Sequence, residues 1–337
     1  MFSCLRNVSK KKELEQKAPD HEVGCSSSSL RNFDYKELKK ATKNFSPTRS
    51  LTDVSVFKGF MNEAVLTPSS FSTSKIPVVV KAYYCSVESS QHIRWQDELN
   101  FLGRLSHPNL IRLLGSGHCW TKEQFFLVSE YMPKGSLNNH LLNGNTLSWD
   151  QRMNIALGVA QGLAFLDSSC SDIPWVYDYF RPSRILLDQD YNAKISVFGL
   201  PKFSREENSK KHFIFKGSEY FSPDFLNTGH RTNHSIVYSF GVILYMMLIG
   251  VHHAKDANRE DWIERLSVSN KAELEKVIDP CLKGQCTLEV AFKVAQYTSK
   301  CLGVRPAKSA NRPSMQEVAF ELAQLLKTAP NTHGGTE

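Results

Sequence analysis

The run of 15 residues from Val237 to Val251 is almost entirely apolar and carries no charge. A helix needs about 20 such residues to span a bilayer, so this run is short for a membrane segment. A helix that is apolar on every side is buried among other elements. We therefore predict a core helix here, inside a helical unit.

The chain changes character along its length. In its first part we predict a short helix through Leu38 and Ala41 and one substantial helix from Ser89 to Leu105. We also predict several β-branched or apolar strands: Val54 to Phe57, Val78 to Tyr84, Leu110 to Leu114 and Phe125 to Val128. Its second part is mainly helical around a strand-rich stretch at 173–200, with predicted helices at 150–166, 237–248, 261–266, 288–301 and 315–326. This order predicts a two-lobed α+β fold, with a small β-rich lobe before a larger helical lobe.

Composition excludes several classes of protein. The 337 residues are 41% hydrophobic and 22% charged, with a net charge of +7, but no basic stripe with interleaved aromatics predicts nucleic-acid binding. The eight cysteines form no Cys-x-x-Cys pair, which argues against a zinc site and fits a reducing, intracellular location. The N-terminal residues lack the apolar run of a signal peptide.

Four motifs follow one another in an order that is informative about the fold. Val78-Val79-Val80-Lys81 lies in a predicted strand, Tyr131-Met132-Pro133-Lys134-Gly135-Ser136-Leu137 joins the two halves, Val237-Tyr238-Ser239-Phe240-Gly241-Val242 lies in the apolar helix, and Asn311-Arg312-Pro313-Ser314-Met315 comes near the end. Together they resemble the protein kinase fold. The flanking stretches at 32–38 and 41–47 are similar to those of plant receptor-like cytoplasmic kinases.

The resemblance implies a division of the chain and a nucleotide site. We expect a disordered tail at 1–32, a flank at 33–50, a kinase-like domain at 51–327 and a disordered tail at 328–337. The lobes are expected at 51–130 and 134–327. In this family the lysine matching Lys81 grips phosphates and pairs with the glutamate matching Glu98. Residues Glu130, Tyr131 and Met132 match the hinge, and Ser129 matches the residue that gates the pocket.

The sequence departs from the family where catalysis occurs. Tyr179 stands where the family has its proton-accepting Asp, and Arg181 stands where it has the following Lys. Arg184 replaces the metal-binding Asn, and Val197 replaces the metal-binding Asp of Asp-Phe-Gly. A phenol is a poor base at neutral pH. Neither a guanidinium nor a valine side chain can coordinate Mg²⁺. No intact catalytic residue and no metal site are therefore expected.

Further changes affect the supporting elements. The segment from Leu51 to Lys58 has no glycine in place of the phosphate-cradling loop, and Asp178 and Ile236 replace a family Arg and Asp. In contrast, Ser222-Pro223-Asp224 keeps the pattern of Ala-Pro-Glu, which leaves open an ion pair between Asp224 and Arg312.

These observations predict an inactive serine/threonine kinase-like protein, a pseudokinase, that acts as a scaffold or regulator in receptor-kinase or immune signalling. The alternative is an atypical, weakly active ATP-dependent kinase. The resemblance implies other protein kinases or immune receptors as partners. No cofactor is required in this hypothesis, and we expect at most weak ATP binding without magnesium.

Modification and location complete the expectations. Ser204, Ser209 and Ser218 lie in the activation-segment region and are candidate phosphorylation sites, although any of them can equally be an ordinary solvated serine. Residue 2 is Phe2, which excludes N-myristoylation by motif. Cys4, beside Lys10-Lys11-Lys12, can give a palmitoyl-plus-basic plasma-membrane anchor or be a plain tail cysteine in a cytoplasmic protein.

Overall fold

The computed structural model describes residues 30–46, 49–51, 54–63, 74–84, 95, 99–142, 147–169, 180–197, 218–228, 232–250, 270–303 and 312–328. Within these ranges a β-rich first lobe is followed by a helical second lobe, as predicted. The expected helix at 261–266 lies outside the described residues, and so does most of the expected helix at 89–105.

The first lobe is built on a six-stranded sheet with strand order β1-β5-β6-β4-β3-β2. Its strands are β1 (Arg31–Phe33), β2 (Arg49–Leu51), β3 (Val54–Asn62), β4 (Lys75–Tyr84), β5 (Leu113–Cys119) and β6 (Gln124–Glu130). β1 pairs with β5 in parallel, and the other neighbours are antiparallel. β1 begins at Arg31, inside the stretch 1–32 that was expected to be a disordered tail. β5 begins at Leu113 rather than at Leu110, which forms only an isolated bridge to Ile195.

The flank covers one face of this sheet. Helix α1 (Tyr35–Ala41) starts at Asp34, whose carboxylate accepts a hydrogen bond from Lys36 N at 3.0 Å. Side chains from the flank and the sheet then form one apolar cluster, which includes Phe33, Leu38, Phe57, Val78, Val80, Ala82, Phe126 and Val128. Because strand residues alternate between faces, Val79, Lys81 and Tyr83 point to the opposite face, toward the second lobe.

The second lobe surrounds a long buried helix. Its described helices are α2 (Leu137–Leu142), α3 (Trp149–Ser169), α4 (Pro223–Thr228), α5 (Asn233–Ile249), α6 (Lys271–Val277), α7 (Leu288–Leu302) and α8 (Met315–Thr328), with a small sheet of β7 (Gly135–Ser136), β8 (Ile185–Leu187) and β9 (Ala193–Ile195). α5 is the predicted apolar helix, and all residues from Ser235 to Ile249 are buried. None of the described helices is both long and apolar enough to cross a bilayer.

The two lobes are joined by close packing at Asn109. The Asn109 amide donates to Ala193 O at 3.0 Å, and Asn109 O accepts from Ile195 N at 2.8 Å. α3 passes so near that a Cβ atom on Gly158 would lie 2.6 Å from Asn109 Nδ2. A larger residue at Gly158 would therefore push the segment before β5 away from β9. This packing fixes the position of β9, and hence of the residues that follow it, against the first lobe.

Candidate functional site

Lys81 reaches from the first lobe to the second. It lies near the middle of β4, opposite Val56 on β3 and Leu127 on β6. Its Nζ donates a hydrogen bond to Ser196 Oγ at 3.4 Å. Ser196 directly follows β9 and is 7% exposed. Ser196 was not among the site residues predicted from the sequence, although its place beside Val197 could have suggested it.

Backbone pairing brings Arg184 to the same region. Pro182–Arg184 forms a single 3₁₀ turn that leads into β8, and Ser196 N donates to Arg184 O at 2.8 Å. β8 and β9 are antiparallel, so residues 184 and 196 lie side by side at the end of the hairpin. The structure thus brings together three positions that the sequence analysis selected: Lys81, Arg184 and Val197.

Positively charged side chains lower the pKa values of cationic neighbours in this region. Burial of the amine lowers the pKa of Lys81 to about 7, and the nearby Arg184 guanidinium contributes to the lowering. Burial also lowers the pKa of Arg184, an effect that Tyr83 opposes and that Arg181 reinforces. Arg184 therefore interacts with Lys81, and Arg181 with Arg184, at the junction of the lobes.

This donor set does not fit a magnesium ion. Val197 is 2% exposed and belongs to the main apolar cluster. Arg184 carries only N–H donors and a positive charge, whereas Mg²⁺ takes oxygen ligands in octahedral geometry. Within the described ranges, no group of three or more His, Cys, Asp or Glu residues is placed to hold a metal ion. No step that requires a protein-bound magnesium ion can be assigned to these residues.

The hinge is held in place by charged and aromatic contacts. The Glu130 carboxylate accepts from Arg112 N and from Lys194 Nζ, each at 2.8 Å, and so ties β6 to β9. Lys58 Nζ lies 4.0 Å from the centre of the Tyr131 ring. Met132 is buried, and its carbonyl accepts from Gly135 N at 3.2 Å. The Glu130 side chain thus has a structural contact that the sequence did not reveal.

The ion pair that the sequence left open is present, and two other positions that match family residues are buried. Ser129, at the gate position, is 4% exposed on β6. Arg312 Nη1 lies 2.7 Å from Asp224 Oδ2, which forms the ion pair that the sequence left open. Ile236, in place of a family Asp, is buried in α5.

Several predicted residues lie outside the described part of the chain. These are Glu98, Asp178, Tyr179, Ser204, Ser209 and Cys4. Ser218 begins a 3₁₀ turn that ends at Tyr220.

Comparison with known proteins agrees with this architecture. The family model for protein tyrosine and serine/threonine kinases matches residues 54–322. The chain belongs to that kinase family. Receptor-like cytoplasmic kinase 176 from Oryza sativa subsp. japonica is 40% identical over 314 residues, which cover 88% of this chain and 76% of the relative.

Solved structures show the same fold. The apo GRMZM2G135359 pseudokinase superposes with a TM-score of 0.68 at 20% identity, over 89% of this chain and 98% of the other. The pseudokinase domain of BIR2, an immune regulator of the RLK/Pelle family, gives a TM-score of 0.64 at 25% identity, over 87% and 85% of the two chains. These likenesses support the two-lobed kinase fold.

Proposed function

We propose that this kinase-family chain is catalytically inactive and acts by binding other signalling proteins. The observation that carries the proposal is the pair of residues at the metal-binding positions, Arg184 and Val197. One brings a permanent positive charge, and the other is an apolar side chain packed into the core.

Phosphoryl transfer depends on positioning and on electrostatic stabilisation of the transferred group. In the family, metal ions bridge the phosphates and neutralise the developing charge. Here neither matching position offers an oxygen ligand. Tyr179 stands where the family has its proton acceptor, and a phenol has an ordinary pKa near 10. Loss of the base and of both metal ligands removes several contributions at once.

The framework around the site supports a binding role. The Asp224–Arg312 ion pair and the packing of Asn109 against α3 hold the large lobe as a folded unit. A folded domain whose changes concentrate at the site of chemistry suits a scaffold or regulator. The partners we propose are other protein kinases or immune receptors, because the relatives include named receptor-like cytoplasmic kinases. For location, we propose the cytoplasm, with Cys4 and the basic N-terminal residues as a peripheral membrane anchor.

The alternative function is weak ATP-dependent kinase activity. It is favoured by the retained Lys81, which still reaches the second lobe at Ser196. In this hypothesis Arg184 takes over part of the charge that magnesium supplies in the family.

A radiolabelled transfer assay separates the two functions. Purified full-length protein is incubated with [γ-³²P]ATP, magnesium and a general substrate protein, with Lys81→Met as the matched variant and an active relative as the positive control. The proposal expects equal background for the wild type and Lys81→Met. Transfer that is present in the wild type and absent from Lys81→Met would establish the weak-kinase alternative.

The binding role needs its own measurement. Proximity labelling in plant cells, with the full chain as bait, is expected to label receptor kinases or cytoplasmic kinases above an unrelated bait. Membrane fractionation of Cys4→Ser tests the anchor, because loss of an acyl chain would move the protein to the soluble fraction. Phosphosite mapping of protein from the same cells tests Ser204, Ser209 and Ser218.

A further inference from the structure

The cationic residues at the junction of the lobes have a consequence beyond the loss of catalysis. Relative to the family pattern, Arg184 in place of Asn adds one positive charge, and Val197 in place of Asp removes one negative charge. The two changes together make the site more positive by two charges, which is the charge of one Mg²⁺ ion. Lys81, also in this region, is the family's phosphate-binding residue.

We propose that the cleft binds a nucleoside polyphosphate in its magnesium-free form, with Arg184 in the place of the metal ion, and that magnesium weakens this binding. This inference depends on the proposed function in one respect only: both are argued from the same two residues, Arg184 and Val197.

The geometry supports a phosphate position between the lobes. Ser196 lies between the two residues, since its hydroxyl accepts from Lys81 Nζ at 3.4 Å while its N–H donates to the backbone carbonyl of Arg184 at 2.8 Å. Burial lowers the pKa of both groups, and the Arg184 charge lowers the pKa of Lys81 further, so the two cations lie near each other in a poorly hydrated region. An anion between them would relieve both the repulsion and the loss of hydration.

The form of the nucleotide follows from charge. Free ATP carries more negative charge than its magnesium complex, and a guanidinium is well suited to hold phosphate oxygens through paired N–H donors. A magnesium ion on the phosphates would meet Arg184 as a like charge and would find no oxygen from Val197. The hinge at Glu130, Tyr131 and Met132 begins at the end of β6, which pairs with the strand of Lys81, and it suits the nucleoside end.

Isothermal titration calorimetry on the full chain tests the inference with ATP in EDTA, ATP in excess magnesium, pyrophosphate in EDTA, and adenosine. We expect ATP to bind about ten- to a hundredfold more tightly in EDTA than in magnesium, the range for one charged hydrogen-bonded contact. Pyrophosphate alone should bind measurably, and adenosine alone should bind most weakly.

Two variants and one control locate the effect. Arg184→Asn restores the family residue and should remove the advantage of EDTA, whereas Arg104→Gln, an exposed cation outside the cleft, should leave it unchanged. The double variant Arg184→Asn with Val197→Asp should reverse the order, so that magnesium strengthens binding. Thermal unfolding of each variant without ligand confirms that it is folded.

Three results would each overturn the inference. The wild type could bind ATP more tightly in magnesium than in EDTA, or it could bind no nucleotide. The third result is a folded Arg184→Asn variant that keeps the preference for EDTA. The transfer assay remains a separate measurement. Transfer with magnesium-weakened binding would refute the proposed function and leave this inference intact. Absence of both transfer and binding would refute this inference alone.

Discussion

Replacing Lys81 with Met should make the protein more stable at neutral pH. The lysine pKa falls from 10.5 to about 7 through burial and the proximity of Arg184. At about 1.4 kcal/mol per pKa unit, holding the charged lysine in the folded state costs about 4 kcal/mol at pH 7. The variant also loses the hydrogen bond to Ser196, which is worth about 1 kcal/mol. We expect a net gain in unfolding free energy of about 2 to 3 kcal/mol.

The pH dependence gives the direction of the effect. The folded pKa lies below the unfolded one, so between pH 7 and 10.5 the unfolded chain binds more protons. The wild type therefore gains stability as pH rises through that window, and the cost is fully present below pH 7. At pH 9.5 the advantage of Lys81→Met should shrink by about 3 kcal/mol, because most of the folded lysine is then neutral and the unfolded one is losing its proton.

Urea unfolding at pH 7 and pH 9.5 measures this difference, because titrations common to both proteins cancel in the comparison. Lys75→Met, at the exposed start of the same strand, is the matched control and should change stability little at either pH. A Lys81→Met protein that is less stable than the wild type by the same amount at both values would refute the reasoning.

Three further changes test other parts of the structure. Gly117→Ala should cost about 2 kcal/mol in urea unfolding, because its Cβ would lie 2.7 Å from Phe33 O; an unchanged midpoint would contradict the close approach of the flank. Asp224→Asn should lower the unfolding free energy by about 2 kcal/mol, because it leaves the buried Arg312 without its counter-charge. Glu37→Gln, in an exposed pair with Arg31, should lower it by under about 0.5 kcal/mol. Equal losses would show that burial is not the cause. Val197→Asp should not yield robust radiolabelled transfer, because Arg184 and Tyr179 remain; strong transfer would show that a single lost ligand explains the site.

Much of the architecture was predictable from local patterns. The apolar run around Val237 is long enough to predict a buried helix, and the β-branched run at Val78 to Tyr84 is long enough to predict a central strand. The strand Arg31–Phe33 was not predictable, because three residues carry little periodicity and their pairing with β5 depends on glycines 84 positions away.

The site was predictable in identity rather than in geometry. Motif spacing selected Lys81, Arg184 and Val197, and the structure brings these positions together around Ser196. The Lys81–Ser196 contact and the Glu130–Lys194 ion pair depend on how the two lobes meet, and the Lys58–Tyr131 contact depends on how β3 packs beside the hinge. Single-chain spacing carries no information about such distances between lobes.

The short strand β1 bears on how this sheet avoids unwanted association. The family match starts at residue 54, but β1 lies before it and caps the outer side of β5. A fragment cut at residue 54 would leave the N–H and C=O groups on the outer edge of β5 unpaired. Without the flank residues Phe33 and Leu38, it would also uncover apolar side chains such as Phe126 and Val128. An open strand beside an apolar surface is a template for edge-to-edge aggregation. The flank that forms β1 and α1 therefore protects the sheet from self-association, and any soluble fragment of this protein should retain it.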